Sequence, residues 1–351
     1  MIGSQVQFQN VSKTFGSVRA LEDFSLQIAP GEFVTLLGAS GSGKSTALNI
    51  LAGFLDPTSG DVSIDGTVVN GVPSENRNVG MVFQNFALFP HMNVFENVSF
   101  PLRMRRVASA EIKRRVEAAL EMVRLEAFAE RKPAALSGGQ RQRVALARAV
   151  VAEPPVLLMD ECLSALDLKL REELQGEIRR IHREIGTTVV FVTHDQTEAL
   201  TLSDRVAVLS NGRIAQVDTP LTLYDAPRTR FIADFVGQSN VFDVRHTVSG
   251  AADVPDLGVT LDPVPEGATA ISLRPERIQL GGNVDAGSVA LNGTIEDVAF
   301  FGASVVSVVR LASGAKIEVR KSRDSEDKIL ALGEAAVVSF ARTAPAMLFD
   351  E

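Results

Sequence analysis

Residues 38–46 read GASGSGKST and match the pattern G-x-x-x-x-G-K-[ST] between a short apolar run and a helical run. Glycines in this setting let backbone N–H groups surround a phosphate chain, and the positive end of the following helix faces the same anion. Lys44 is then placed for the β- and γ-phosphates and Ser45 for Mg²⁺. A glycine-rich turn that happens to contain lysine is the alternative, and the flanking strand and helix disfavour it. The predicted phosphate-binding residues are Gly38, Ser40, Gly41, Gly43, Lys44, Ser45 and Thr46.

Two adjacent carboxylates, Asp160 and Glu161, follow the apolar run VLLM. Asp160 ends a predicted strand, where a carboxylate can hold Mg²⁺ opposite Ser45. Glu161 is expected to point the other way because side chains alternate along a strand. From there it can orient and deprotonate a water molecule that attacks the γ-phosphorus. Two solvated carboxylates on a strand edge are a weak alternative, since the residues directly before them are all apolar.

A further anion site is predicted at LSGGQ, residues 136–140, which precedes the helical run RQRVALARAV. Ser137 and the two following glycines can hold an anion at the N-terminus of that helix. A pentapeptide of this kind is a weak signal by itself, and a serine-capped helix is the simpler interpretation. Its position between the phosphate loop and the paired carboxylates makes the combination specific.

This combination resembles the ATP-binding subunits of ABC transporters, motif by motif over the first two thirds of the chain. The resemblance implies that Gln84 in VFQN reaches Mg²⁺ and the attacking water, and that His194 in VTHD contacts the γ-phosphate. It also places Phe15 against adenine, where a ring face is sufficient for stacking. A core aromatic and a satisfied core histidine are the alternatives for Phe15 and His194. ATP and Mg²⁺ are the implied cofactors, with Lys44, Gln84, Glu161 and His194 in catalysis and Ser45, Gln84 and Asp160 at the metal.

The resemblance also implies a dimer, because in this family the phosphate loop of one subunit and the LSGGQ of another close on the same nucleotide. The chain carries one copy of each motif, so it is expected to pair with a second copy of itself and bury two ATP molecules. SALD, up to Asp167, resembles the family's D-loop. The residues expected to act in trans are Ser137, Gly138, Gly139, Gln140 and Asp167.

An α/β P-loop NTPase fold is predicted for this part of the chain. Short β-rich runs such as EFVTLLG, NVGMVFQ, PVLLMD and TTVVFVTHD alternate with helical runs, which indicates a mostly parallel sheet covered on both faces. KSTALNILAGFLDP predicts a helix that stops at Pro57, and Asp65-Gly66 predicts a hairpin. A long helix is predicted from one apolar face followed by Gly186. That face comprises Leu170, Leu174, Ile178, Ile181 and Ile185.

Two regions depart from this alternation. Residues 86–150 are largely helical and are interpreted as a helical subdomain inserted in the core, in which Ser109 can cap a helix whose face is Ile112, Val116, Leu120 and Val123. After Gly237, short β-rich runs separated by Gly, Pro and Asp indicate a small all-β barrel or sandwich. SLRPERI, residues 272–278, resembles the OB-like TOBE barrel of importer ATPases. The predicted domains are a nucleotide-binding domain, residues 1–238, and an OB-like regulatory or dimer-bracing domain, residues 239–351.

Composition restricts the location and partners. A single cysteine indicates a reducing compartment, and the N-terminus MIGSQVQFQN lacks the pattern of a signal peptide. No apolar stretch reaches the ~18 residues of a membrane span, and the net charge of −8 disfavours nucleic acid as a partner. The resemblance therefore implies a peripheral subunit on the cytoplasmic face of the inner membrane. Its expected partners are two permease subunits and, through them, an extracytoplasmic solute-binding protein.

The segment from Gln84 to Met104 is unusually apolar, and the family has a groove here for a short helix of the permease. Core packing by Phe89, Phe95 and Phe100 is the alternative, and a mixture of both is expected. ALDLKLREELQ, FPHMNVFENVSFPLR and FVGQSN look most like the spermidine/putrescine importers. Ferric iron, opine, thiamine and aminophosphonate importers share much of this pattern, so they remain alternatives for the solute.

Cys162 stands where the family usually has proline, directly after the paired carboxylates. A thiol nucleophile needs a lowered pKa, whereas the charges of Asp160 and Glu161 should raise the pKa of this thiol. Phosphoryl transfer to water also needs no covalent intermediate. Cys162 is therefore predicted to be a bystander that borders the same nucleotide as His194.

Two other classes of function are weaker. A non-transport ABC ATPase usually carries a long coiled coil, a zinc hook or tandem ATPase domains, and the sequence has none of these patterns. A solute-binding or regulatory module without catalysis is opposed by the presence of Lys44, Asp160, Glu161 and His194.

Overall fold

The structure is a computed structural model that describes residues 3–164, 167–247, 250–281, 287–323 and 330–350. The chain forms two compact units, Met1–Pro220 and Leu221–Glu351. The predicted domain boundary at residue 238 stays a prediction. No helix in the described part of the chain combines the length and apolar character needed to cross a membrane.

The described residues of the first unit form two sheets and six α-helices. Its strands are β1 (Val6–Phe15), β2 (Val18–Ile28), β3 (Phe33–Gly38), β4 (Ser59–Ile64), β5 (Thr67–Val68), β6 (Val79–Val82), β7 (Val156–Asp160), β8 (Thr188–Thr193), β9 (Arg205–Ser210) and β10 (Arg213–Asp218). Its helices are α1 (Lys44–Ala52), α2 (Val94–Met104), α3 (Ser109–Met122), α4 (Gly138–Val150), α5 (Leu168–Ile185) and α6 (Gln196–Leu202). Short 3₁₀ turns lie at Ser74–Asn76, Glu126–Phe128 and Pro133–Ala135.

The larger sheet has the strand order β10-β9-β3-β8-β7-β6, and all its pairs are parallel except β9 with β10. The parallel sheet predicted from the apolar runs is therefore confirmed. Strands β3, β8 and β7 are neighbours, and in parallel strands the carboxyl ends meet at one edge. The phosphate loop, His194 and the paired carboxylates follow these three strands, so the topology brings them together.

Side chains of the parallel strands alternate between two hydrophobic cores. Val156 and Leu158 of β7 pack in a cluster with α1 and the N-terminal strands, whereas Leu157 and Met159 pack in a cluster with helices α2 to α5. Burial of a strand on both faces explains why these runs are apolar throughout instead of alternating with polar residues. Helix α5 covers the second face with Leu174, Ile178, Ile181 and Ile185, and it ends at Gly186, whose φ of 66° is left-handed.

A second, antiparallel sheet of strand order β2-β1-β4-β5 was not predicted. The hairpin between β4 and β5 in this sheet was predicted from Asp65-Gly66. Its two-residue turn has positive φ at both positions, as a type I′ turn requires.

The helical subdomain is confirmed as α2, α3 and α4, with two local corrections. Ser109 does not cap α3, because the cap position is Ala108, which makes no side-chain hydrogen bond, and Ser109 is already in the helix. Helix α1 ends at Ala52 and not at Pro57, because Gly53 takes a left-handed conformation with φ 84° and closes the helix through its backbone N–H.

The second unit begins with helices α7 (Pro220–Asp225) and α8 (Arg230–Phe235). Its strands are β11 (Asn240–Asp243), β12 (Arg245–His246), β13 (Ala252–Val254), β14 (Val259–Leu261), β15 (Ala268–Leu273), β16 (Gln279–Leu280), β17 (Ser288–Phe300), β18 (Ser304–Leu311), β19 (Lys316–Ser322), β20 (Ala335–Ala341) and β21 (Ala346–Phe349). A five-stranded sheet, β16-β20-β17-β18-β19, and two three-stranded sheets, β11-β15-β21 and β12-β13-β14, share one apolar core. The predicted OB-like β domain is confirmed.

Arg274 of the SLRPERI motif has a structural role inside the second unit. Its side chain is buried, and its guanidinium donates hydrogen bonds to the carbonyl oxygens of Tyr224, Ala233 and Gln238. The guanidinium also lies 4.2 Å from the centre of the Tyr224 ring. The motif therefore joins the helical start of this unit to its strands.

A candidate nucleotide site at the carboxyl edge of the parallel sheet

The phosphate loop has the backbone geometry of an anion-binding nest. Gly41 and Gly43 have φ values of 80° and 103°, which favour glycine. A Cβ at Gly43 would lie 2.5 Å from the carbonyl oxygen of Ala20, so a larger residue does not fit. The buried hydroxyl of Ser42 has no hydrogen-bond partner among the described residues. A loop with left-handed glycines, an unpaired buried hydroxyl and no space for a side chain at Gly43 fits a bound phosphate chain.

Lys44 is the first residue of α1 and is almost fully buried. Its ammonium group donates hydrogen bonds of 2.8 Å to the carbonyl oxygens of Gly38 and Ala39. Burial lowers the pKa of Lys44, while the negative charges of Glu161 and Asp160 act to raise it. The ammonium is thus held inside the loop in the field of both carboxylates. Ser40 and Ser45 are exposed, and Thr46 is partly exposed.

Asp160 and Glu161 occupy different backbone environments. Asp160 is the last residue of β7, and its pKa is raised by burial and by Glu161, with Lys44 acting in the opposite direction. Glu161 lies outside the strand with a left-handed φ of 39°, and its backbone N–H donates to the carbonyl oxygen of Val192. Glu161 therefore lies in a turn after the strand, where the alternation of side chains along a strand does not apply.

Glu161 lies between two other predicted site residues. Its Oε2 accepts a hydrogen bond of 3.2 Å from Nε2 of Gln84, and its Oε1 is 3.4 Å from Nδ1 of His194. The His194 side chain is 54% exposed, which excludes a core histidine. Phe15 is 47% exposed, with Nζ of Lys13 lying 5.1 Å from the ring centre, so it is not a core aromatic. Both side chains are free to meet a ligand.

A helix follows Ser137 as predicted, but α4 begins at Gly138, inside LSGGQ and three residues before the predicted run at Arg141. Ser137 is the cap residue: its hydroxyl accepts from the N–H of Gln140, and the Gln140 side chain accepts from the N–H of Ser137. A Cβ at Gly139 would lie 2.8 Å from the Leu170 side chain, so Gly139 packs closely against α5, while Gly138 is partly exposed. Asp167 caps α5 through the N–H of Leu170, whereas Ala165 and Leu166 of SALD lie outside the described residues. Action of these residues in trans stays a prediction.

Cys162 faces the core and not the predicted nucleotide. It is 1% exposed and belongs to the apolar cluster that includes α4 and α5, so the prediction that it borders the nucleotide with His194 is wrong. Burial is the main cause that raises the pKa of this thiol, followed by the charge of Glu198, with Asp160 a smaller contribution. The conclusion that the thiol is not a nucleophile is strengthened, although burial and not the adjacent carboxylates is the main reason.

We expect Cys162→Ser and Cys162→Pro to keep most of the ATPase activity. Since the thiol contacts only protein, the serine variant should lose thermal stability, because it buries a hydroxyl at a cost of about 1–3 kcal/mol, and its kcat should stay within about twofold of wild type. Steady-state phosphate release and a melting curve measure the two effects, with Cys162→Ala as the control that adds no polar group. A collapse of activity in Cys162→Ser with ATP binding intact would reinstate the cysteine as a participant.

A network beside His194 was not anticipated from the sequence. Arg171 of α5 lies 2.8 Å from Asp195 and 3.7 Å from Glu198, which begin α6 directly after His194. The pattern Asp-x-x-Glu at 195–198 is typical of a helix start and could have indicated α6. Nothing in the sequence indicates that Arg171 would meet it.

The donor set fits Mg²⁺ bound together with a nucleotide. Among the described residues, no group of three or more His, Cys, Asp or Glu side chains converges as a metal site of its own. Mg²⁺ usually takes one or two carboxylates and completes its shell with phosphate oxygens and water. Asp160 and the exposed hydroxyl of Ser45 are suited to such a partial set.

Comparison with known proteins identifies the class. The profile of the ABC transporter family matches residues 21–164, and the TOBE domain profile matches residues 271–348. Two solved structures are 38% identical to this chain, and each match covers 61% of this chain and 98% of the other. They are a dimeric bacterial ABC transporter cassette, TM-score 0.56, and a dimeric post-hydrolysis state of such a cassette bound to ADP and Pi, TM-score 0.55.

Curated relatives match over nearly the full length. A spermidine/putrescine import ATP-binding protein of Rubrobacter xylanophilus is 46% identical over 346 residues, which cover 95% of this chain and 91% of the relative. A protein of the same name from Aliivibrio fischeri is 41% identical over 357 residues, covering 99% and 96%. The chain belongs to the family of ABC transporter ATP-binding subunits, and it is an ATPase coupled to transmembrane transport.

Proposed function

We propose that this chain powers the import of polyamines, namely spermidine and putrescine, as a homodimer bound to two permease subunits. The observation that carries the catalytic part is the position of Glu161, in contact with Gln84 and His194 beside the phosphate loop. The solute is supported by the names of relatives that are 41–49% identical over most of the chain. Ferric iron, opine, thiamine and aminophosphonate remain alternative solutes.

In this proposal the groups of the site act on different parts of ATP and on the attacking water. The backbone N–H groups of the phosphate loop and the ammonium of Lys44 hold the β- and γ-phosphates, and Phe15 stacks on adenine. Glu161 accepts a proton from the attacking water, while Gln84 orients that water. His194 donates a hydrogen bond to a γ-phosphate oxygen, where negative charge must be stabilised. When bound by Ser45, Gln84 and Asp160, Mg²⁺ supplies charge neutralisation on the phosphate oxygens.

The in-trans residues complete the site across the dimer. Ser137, Gly138, Gly139 and Gln140 present the N-terminus of α4 to the nucleotide of the other subunit. Asp167 caps α5, the helix whose Leu170 packs against Gly139. Release of the γ-phosphate removes the group that bridges the halves, so the dimer opens, and this opening drives the permease. The dimeric state of the solved cassettes supports this arrangement.

An apolar groove in the first unit supports a permease contact. A cavity of about 370 Å³ is lined by Phe83, Phe89, Phe100 and Pro101, whereas Phe95 packs against the core. The rings of Phe89 and Phe100 are 4.6 Å apart between centres and form one wall. These positions support the expected mixture of core and groove phenylalanines. Gln84 directly follows Phe83 of the cavity lining and donates a hydrogen bond to Glu161, which supports a link between the groove and the nucleotide site.

The location and remaining partners follow from the import role. The subunit would lie on the cytoplasmic face of the inner membrane, held there by the permease. An extracytoplasmic solute-binding protein would deliver the solute from the other side and act on this chain only through the permease. The second unit would brace the dimer or regulate it.

Transport assays distinguish the solutes. We expect cells that lack their own polyamine uptake to accumulate labelled spermidine or putrescine when they express this chain with its permease and solute-binding protein. Solute specificity is set outside this chain, so the control removes the energy source instead. The Glu161→Gln variant blocks ATP hydrolysis and should abolish uptake without changing expression. Uptake of ferric iron or thiamine, with no polyamine uptake, would exclude the proposed solute and leave the ATPase assignment intact.

A further inference from the structure

An ion-pair network joins the start of α5 to Asp195 and Glu198, which lie one and four residues after His194. Arg171 lies one turn after Asp167, the residue that caps α5, and its N–H donates to the Asp167 carbonyl oxygen at 3.0 Å. Its guanidinium donates to Asp195 Oδ2 at 2.8 Å and lies 3.7 Å from Glu198 Oε1. One side chain therefore connects the D-loop end of α5 to the first turn of α6.

The carboxylates on the α6 side hold the backbone around His194. Asp195 caps α6 by accepting from the N–H of Glu198, and its own N–H donates to the Thr193 hydroxyl at 3.0 Å. That hydroxyl donates to Glu198 Oε2 at 2.6 Å. The residues immediately before and after His194 are thus fixed to one another through the same two carboxylates.

The Glu198 carboxylate of this network is buried. The Glu198 side chain is 1% exposed, and its Oε1 has no hydrogen-bond partner among the described residues. Burial and, less strongly, the charge of Asp195 raise the pKa of Glu198, whereas the hydrogen bond from Thr193 and the charges of Arg171 and His194 lower it. A buried carboxylate without its cationic neighbour is costly, so α6 is expected to shift if Arg171 is removed. A shift there moves His194, whose Nδ1 lies only 3.4 Å from Glu161.

We propose that Arg171 is a positioning residue that holds His194 within contact distance of Glu161 and links the position of His194 to the start of α5. The inference rests on the proposed role of His194 in hydrolysis. An ordinary structural ion pair between two helices is the competing explanation. It predicts a loss of stability without a selective effect on the chemical step.

The test is a kinetic comparison in the full chain. Arg171→Ala should lower kcat for ATP hydrolysis about tenfold while KM for ATP changes less than about twofold, because the phosphate loop is untouched. Arg171→Lys keeps the charge and should recover part of kcat. The control is Arg179→Ala, which removes an exposed arginine from the same helix and should leave kcat unchanged. Unchanged kcat with a lower melting temperature in Arg171→Ala would overturn the proposal.

A double-mutant cycle with Asp195→Asn tests whether Arg171 acts on His194 through Asp195. Asparagine still caps α6 but has no charge to form an ion pair with the guanidinium, so the double variant should be no slower than the slower single variant. Multiplicative losses in kcat would show independent action and also overturn the proposal. If Arg171→Ala does not fold, kcat is compared between Arg171→Lys, Asp195→Asn and the wild type. Wild-type kcat in both variants contradicts the proposal. His194→Ala is measured in parallel: full activity there would reject the proposed role of His194 itself, whatever the Arg171 variants do.

Discussion

Replacing Glu161 by glutamine is expected to reduce ATP hydrolysis by about 10²–10⁴-fold, the range typical of a lost general base. The amide keeps the shape of the side chain and can still contact Gln84 and His194, which lie 3.2 and 3.4 Å away in the wild type. It does not take a proton from water. ATP should therefore bind but persist unhydrolysed, and the variant should form an ATP-dependent dimer that is detectable by gel filtration or light scattering with Mg-ATP.

Two controls make this result specific to the base. Glu117→Gln changes an exposed glutamate on α3 and should hydrolyse ATP as the wild type does. Glu161→Gln without nucleotide should elute as the wild type does under the same conditions. A Glu161→Gln protein that stays monomeric at saturating ATP would count against closure of two subunits on the nucleotide, and one that retains high turnover would remove Glu161 from the role of base.

The parallel core was predictable because its strands carry their own signal. A strand buried on both faces, such as β8 with TVVFVT, is apolar between its terminal threonines and stands out between polar connections. Helix α5 was equally clear, since its apolar residues recur at helical spacing and a glycine ends it. In both elements the secondary structure that the local sequence favours is also the one that buries the apolar side chains in the core.

The antiparallel sheet was missed because its pattern is broken along β1. Val6 and Phe8 alternate correctly, but the next buried residue is Val11, and the pairing with β2 shifts between Phe8 and Val11. Asn10 has a positive φ of 50° at this irregularity. An irregularity of this kind inserts residues into the strand and shifts the two-residue period, so a simple alternation search fails there.

The site residues were predictable as types but not as geometry. The phosphate loop is a contiguous pattern whose chemistry follows from its own residues. The left-handed turn at Glu161, the inward orientation of Cys162 and the pairing of Arg171 with Asp195 depend on how β7, α5 and α6 pack. Such contacts between distant segments are set by the fold and leave no local signal.

Replacing Lys44 by alanine should weaken ATP binding by about ten- to a hundredfold, which corresponds to the loss of a charged hydrogen bond of about 1.5–3 kcal/mol. Nζ of Lys44 donates to the carbonyl oxygens of Gly38 and Ala39, so the substitution also removes two contacts that shape the loop. Turnover should fall further than binding, because the lysine would stabilise the γ-phosphate most strongly as it leaves. Calorimetry with Mg-ATP gives the affinity, and phosphate release gives the turnover.

The charge balance of the site predicts a second consequence of the same substitution. Asp160 and Glu161 are adjacent, and the Lys44 ammonium opposes the rise in the pKa of Asp160 that burial and Glu161 cause. Without Lys44 this pKa should rise further, so protons compete better with Mg²⁺, and the Mg²⁺ concentration for half-maximal ATP binding should increase most at the acidic end of the pH range. Lys113→Ala, which removes an exposed lysine of α3, should change neither affinity nor Mg²⁺ dependence. Wild-type affinity and turnover in Lys44→Ala would show that the phosphates bind elsewhere, whereas a loss of affinity with unchanged Mg²⁺ dependence would keep the phosphate contact and reject the coupling to Asp160.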